Sequence, residues 1–289
     1  MNIQGKFFKT TDDKNIYFEE YGSGEPIVFI PGYLCTTRYL SRNIDALSEN
    51  NHLIVMDSRS FGYSTKSQEN LTIHRMAADI KELIEHLNLE NVVLIGWSMG
   101  GNIAMAYYEQ FGAYRLKTIA LLDSTLFPYG AGEHNAHSLH NYNLEAFTDL
   151  MKGAFADYEQ YCKNFARSMF KNPISEDDEA WIVCDALKCP VHCAFALYEN
   201  FVHLDFEKIL PLIEIPTFIC GAASPRTPKG LQMAKHYKSL LKAPCTHYEF
   251  MDAGHILFYE CPEEFNKVIL KFIKQYEESD FKAVKEQYS

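Results

Sequence analysis

Residues 92–101 read Val92-Val93-Leu94-Ile95-Gly96-Trp97-Ser98-Met99-Gly100-Gly101. The apolar run at 92–95 predicts a short buried strand, and the stretch from Ser98 to about Gln110 predicts a helix. Between them, Gly96 and Gly100 flank Ser98 two residues away on either side. Glycines at those places let a strand turn sharply into a helix without side-chain clashes. The Ser98 hydroxyl then stands above the sheet at a helix N-terminus, where the dipole favours developing negative charge. This context makes Ser98 a candidate nucleophile, and Gly101 adds room for close packing.

Apolar runs at 27–30, 53–56, 118–122, 215–220 and 247–251 read as further strands. Helical periodicity fills the intervals. Ile73, Met76, Ala77, Ile80, Leu83, Ile84 and Leu87 fall at steps of three and four, residues 231–241 are helical, and Pro262 suits the first turn of a last helix carrying Phe265, Ile269 and Phe272. Strands alternating with helices predict an α/β fold, a mostly parallel sheet with helices on both faces. Residues 124–205 interrupt the alternation. They hold aromatics and helix formers but no buried strand, which predicts a core domain of 1–123 and 206–289 and a helical cap of 124–205. Aromatic residues such as Phe147, Tyr161 and Phe165 are expected to give that cap an apolar underside. The charged tail at 277–289 is expected to be exposed.

A serine hydroxyl needs a base. Of eleven histidines, His255 follows the last strand in Asp252-Ala253-Gly254-His255, and loops at the carboxyl ends of parallel strands are where ligands meet such sheets. The turn Pro31-Gly32-Tyr33 can present the Tyr33 N–H to an oxyanion, with the N–H of Met99 as the second donor. A net charge of −11 without basic clusters speaks against nucleic acid as partner. No stretch approaches the roughly 20 apolar residues of a membrane span, and none at the start resembles a signal peptide, so a cytoplasmic protein without membrane partners is expected. Eight cysteines without C-x-x-C spacing read as reduced thiols. Cys184, Cys189, His192 and Cys193, and likewise His134, His137 and His140, could ligate a metal, but packed thiols and solvated or pocket-lining histidines fit their spacing better. No metal or organic cofactor is expected. Oligomeric state is not legible.

Five stretches, YGSGEPIVFIPGY (21–33), DSRSFGYSTK (57–66), ADIKELIEHLNLENVVLIGWSMGG (78–101), LPLIEIPTFICG (210–221) and DAGHILFYECPEEF (252–265), together resemble the α/β-hydrolase superfamily near its non-haem chloroperoxidase, esterase and lactonase branch. The resemblance implies an eight-stranded sheet, a cap between the sixth and seventh strands, and a Ser-acid-His triad with Ser98 as nucleophile and His255 as base. Superfamily members with an aspartate nucleophile are set aside, because Ser98 holds that position. The implied activity is that of a serine hydrolase acting on a small acyl substrate, an ester or lactone, through an acyl-enzyme. Carbon–carbon bond hydrolysis with the same triad, or ligand binding with little turnover, are the alternatives. Two positions depart from the pattern. Pro31 replaces a histidine of the oxyanion turn, where backbone groups do the work. In GAASPRTP (221–228) the place of the usual acid falls on Ser224. Asp123, at the end of the preceding strand, is the substitute acid, with Asp252 or a Ser-His dyad as alternatives.

Overall fold

Strands β5 (Val92–Trp97), β6 (Leu116–Leu122) and β7 (Thr217–Ala222) bury every one of their residues. Strands of this kind need cover on both faces, which is why their sequences are continuous apolar runs rather than alternating ones. The structure, a computed structural model, describes residues 5–276 apart from positions 136 and 225. The tail at 277–289 lies outside the described residues.

The remaining strands are β1 (Lys6–Lys9), β2 (Asn15–Gly22), β3 (Glu25–Ile30), β4 (Asn51–Met56) and β8 (Cys245–Phe250). They form one eight-stranded sheet in the order β1-β2-β4-β3-β5-β6-β7-β8. From β4 to β8 all neighbours are parallel, while β1 and β2 pair antiparallel at one edge. The two antiparallel strands carry no apolar run. Asn15–Gly22 reads NIYFEEYG and alternates buried Ile16 and Phe18 with more exposed neighbours, the pattern of a half-solvated edge.

Helix α1 is Ile44–Ser48, α2 Ile73–His86 and α3 Met99–Phe111. Helix α2 starts where the Thr72 hydroxyl accepts from the Arg75 N–H, and it buries Ile73, Met76, Ala77, Ile80, Leu83 and Ile84. It packs on α3. Between β6 and β7 lie α4 (Leu144–Ala156), α5 (Tyr158–Met169), α6 (Glu176–Leu187) and α7 (Val191–Val202), with no strand among the described residues. The chain closes with α8 (Gly230–Leu240), α9 (Leu257–Glu260) and α10 (Pro262–Gln275), of which α10 also packs on α1. Among the described residues no single helix is long and apolar enough to cross a membrane.

The four inserted helices are tied to the sheet at its carboxyl end. The Thr36 hydroxyl donates to Asp185 of α6 at 2.7 Å. The Tyr33 ring lies 5.9 Å from Phe165 of α5 and 5.1 Å from Tyr198 of α7, so the turn after β3 is wedged into the insertion.

Helix α3 sits so close to β3 that a Cβ at Gly100 would collide with the Ile30 carbonyl oxygen. Gly100→Ala is therefore expected to lower stability by about 1–3 kcal/mol in urea denaturation, as overpacked cores do. Gly153 in α4 faces open space. Gly153→Ala is expected to gain about 0.4–1 kcal/mol in the same assay, because it restricts the unfolded chain and favours helix. Equal effects at the two sites would contradict the close approach at Gly100.

Candidate active site

The register of β5 and β6 sets the site. Trp97 pairs with Leu122, so Ser98 and Asp123 leave adjacent strands side by side. The Ser98 N–H donates to the Leu122 carbonyl at 3.0 Å, and the Asp123 N–H to the Cys220 carbonyl at 2.9 Å. Both residues take the left-handed φ that non-glycine residues avoid, 56° at Ser98 and 43° at Asp123. Each such residue costs about 1–3 kcal/mol and persists where its surroundings fix it. Gly32 lies over Ser98: a Cβ there would fall 3.0 Å from the serine Cβ and 3.4 Å from its Oγ. A side chain there would crowd the serine, whose neighbours would have to give by a few tenths of an ångström.

His255 Nδ1 lies 2.7 Å from Asp123 Oδ2, and both side chains are almost fully buried. An ionised carboxylate can only accept, so Nδ1 carries the proton and Nε2 of the neutral ring is left as an acceptor. That Nε2 is buried without a hydrogen-bond partner among the described residues. Ser98, Met99, Tyr33 and His255 line one cavity of about 20 Å³, room for about one water. No hydrogen bond joins Ser98 Oγ to His255 Nε2. Such bonds are often loose without substrate and tighten when it binds. The amides of Tyr33 and Met99, beside Ser98, likewise reach no acceptor among the described residues. Burial holds His255 below the ordinary histidine range; its bond to Asp123 opposes this, and the Arg226 charge adds to it.

A shell of further groups fixes the pair. Thr227 Oγ1 donates to Asp123 Oδ2 at 2.7 Å, and the Ala222 N–H donates to Oδ1 at 3.2 Å. Ser224 holds Thr227 in turn. Its Oγ accepts from the Thr227 N–H at 3.1 Å and, since the Thr227 proton points to Asp123, donates to Thr227 Oγ1 at 3.1 Å. Trp97 Nε1 donates to the His255 carbonyl at 2.8 Å, and the Gly254 N–H to Glu260 at 2.7 Å. The sequence reading missed Thr227, Trp97 and Glu260 in these roles. Trp97 stands inside the G-x-S-x-G motif and Thr227 three residues after Ser224, but nothing in the spacing says where either side chain points. Asp252 stays apart, with its side chain 92% exposed and 3.4 Å from Lys171 Nζ.

The three histidines read as possible metal ligands separate. His137 lines the cavity over Ser98, where burial pushes its pKa down to about 3. His140 is exposed and donates to the His137 carbonyl. His134 meets residues distant in sequence: it stacks on His236 with ring centroids 3.6 Å apart, and both rings reach Glu207, at 2.9 and 3.3 Å. These three could hold a metal ion, whereas the spacing of the histidines in sequence favoured solvated or pocket-lining roles. The cluster lies outside the Ser98 cavity. Cys189 and Cys193 are buried free thiols, and Cys184 is exposed.

The cause of the His255 shift sets its pH behaviour. The folded chain resists protonating this ring and the unfolded chain does not, so its contribution to stability falls as pH drops below about 6.5. Titration of the His255 ring protons by NMR is expected to show a midpoint below that value. A midpoint above it would contradict the burial of the ring.

The sequence matches the family description "alpha/beta hydrolase fold" over residues 25–262. Across 273 residues it is 26% identical to the AB hydrolase superfamily protein YisY of Bacillus subtilis (strain 168), covering 93% of this chain and 98% of that protein. It is 25% identical to the non-heme chloroperoxidase CPO-A1 of Kitasatospora aureofaciens, covering 92% and 98%. The solved esterase EaEST from Exiguobacterium antarcticum superposes with a TM-score of 0.85 at 23% identity, over 94% of this chain and 100% of that one. With the sheet order and the match over most of its length, the chain belongs to the α/β-hydrolase family and is an enzyme of that superfamily.

Proposed function

We propose that the protein is a serine hydrolase that cleaves a small carboxylic ester or lactone through an acyl-enzyme. Residues 124–205 act as a cap over a site carried by 1–123 and 206–289. The observation that carries this reading is the buried His255 ring, oriented by Asp123 and offering an unpartnered Nε2 to the cavity that Ser98 lines. The esterase and chloroperoxidase names of the relatives support it.

In the reaction, Ser98 Oγ attacks the substrate carbonyl and its proton passes to His255 Nε2. The carbonyl electrons move onto oxygen, where the Tyr33 and Met99 amides hold the charge. Asp123 keeps the ring in the useful tautomer and compensates the imidazolium. The proton then goes from Nε2 to the departing alkoxide oxygen, which leaves as an alcohol or, for a lactone, stays attached as a hydroxyl. A water gives its proton to Nε2 and its oxygen to the acyl carbon, and Ser98 is released with its proton returned. A cavity of about 20 Å³ does not hold an acyl group, so the cap side chains over Ser98, His137 and Phe201 among them, move aside on entry.

Ser98→Ala is expected to abolish fluorophosphonate labelling and to lower turnover of short p-nitrophenyl esters by at least about a thousandfold, because such residues act as a unit. Asp252→Asn, at the surface, is expected to stay within about twofold of the parent rate, as surface changes away from a site do. Full turnover by Ser98→Ala would defeat the proposal. Labelling without turnover of any ester, lactone or diketone would favour a ligand-binding role.

A further inference from the structure

Arg226 stands in the Ser98 cavity, in contact with neither a carboxylate nor a hydrogen-bond acceptor among the described residues. Of the other six arginines, Arg42, Arg59, Arg75, Arg115 and Arg167 each meet a carboxylate, in a chain where 38 acids face 27 lysines and arginines. Among the described residues Arg38, like Arg226, has only an aromatic ring, Trp181 at 4.7 Å, but it is exposed and lines no part of the Ser98 cavity. Arg226 has the Phe165 ring, 4.7 Å from its guanidinium carbon. The acid that shares the cavity does not serve it, since both Asp123 oxygens are taken by Ala222, Thr227 and His255.

We infer that Arg226 is a carboxylate-binding subsite of this cavity, and that the preferred substrate is an acyl compound bearing a free carboxylate near the bond to be cleaved. This rests on the reading of Ser98 as the nucleophile of a hydrolase. A guanidinium presents a planar fork of N–H donors that matches a carboxylate, and an aromatic face beneath it fixes the plane without using those donors. The surroundings admit one negative charge. His137 is kept neutral by burial, and no lysine among the described residues lines the cavity, so a phosphate with nearly two charges would be undercompensated. The placement also has a chemical consequence. A lone cation beside His255 opposes the imidazolium that forms in the reaction. A carboxylate on the substrate removes that opposition as it binds, so the correct substrate brings the base to full strength.

The test compares two p-nitrophenyl esters of matched length, the mono-p-nitrophenyl ester of glutaric acid and p-nitrophenyl pentanoate. The parent enzyme is expected to favour the acid by at least about tenfold in kcat/KM, a difference of about 1.4 kcal/mol. Added salt shrinks that ratio. Arg226→Gln is expected to bring it to about one, chiefly through KM, and Arg226→Lys to keep part of it. Circular dichroism establishes that each variant is folded. Calorimetry with glutaric acid monoamide on the Ser98→Ala chain, with and without Arg226→Gln, tests the subsite without turnover. Both esters cleaved with a parent ratio of one or less would overturn the inference and leave the hydrolase reading standing, and so would a ratio that Arg226→Gln leaves unchanged. Arg226-dependent binding of the monoamide with neither ester cleaved would support the subsite and sink the hydrolase reading. Absence of both cleavage and Arg226-dependent binding would overturn the two together.

Discussion

The hydrogen bond between His255 Nδ1 and Asp123 Oδ2 is the contact on which the proposed chemistry depends, and much of the local structure serves to hold it. The acid leaves β6 with a left-handed backbone, one strand over from the serine. The ring is fixed from the other side by Trp97 on its carbonyl and by Glu260 on the preceding amide. Because the pair is buried, water does not compete for the carboxylate, and a hydrogen bond to an ionised acceptor is worth more there than at the surface. The same burial makes the pair costly to leave half-satisfied, which accounts for the donors that surround Asp123.

Ser224 bears on the proposed role of Asp123. At the position where the resemblance leads one to expect a carboxylate, a hydroxyl holds Thr227, and Thr227 donates to Asp123. The loop after β7 thus supplies a donor to the acid in place of the acid itself. This chain combines the hydroxyl at one strand end with the carboxylate at the next.

The parallel half of the sheet was legible because it is buried on both faces. Continuous runs such as 92–95 and 118–122 need no knowledge of neighbours to be read as strands. β1 and β2 carried no such signal, since an antiparallel edge buries alternate residues and NIYFEEYG shows that only faintly. The motif around Ser98 and the loop before His255 were legible as punctuation at strand ends. The supports of the site were not, for their roles depend on side-chain direction across long sequence separations: Thr227 reaches back 104 residues to Asp123, and Trp97 reaches 158 residues forward to His255. The meeting of His134 with Glu207 and His236 is a product of the fold in the same way. Arg226 stood in plain view in the sequence, but its lack of a counter-ion among the described residues could be seen only once its neighbours were in place.

The most direct test of the account is the rate at which Ser98 reacts with a fluorophosphonate when the charge on Asp123 is removed at constant size. With Asp123→Asn the ring can take the wrong tautomer and its positive charge goes uncompensated, so the acylation rate at pH 7 is expected to fall by about a hundredfold to ten-thousandfold. An Asp123→Asn chain that acylates at the parent rate, while Asp252→Asn or Ser224→Ala does not, would contradict it.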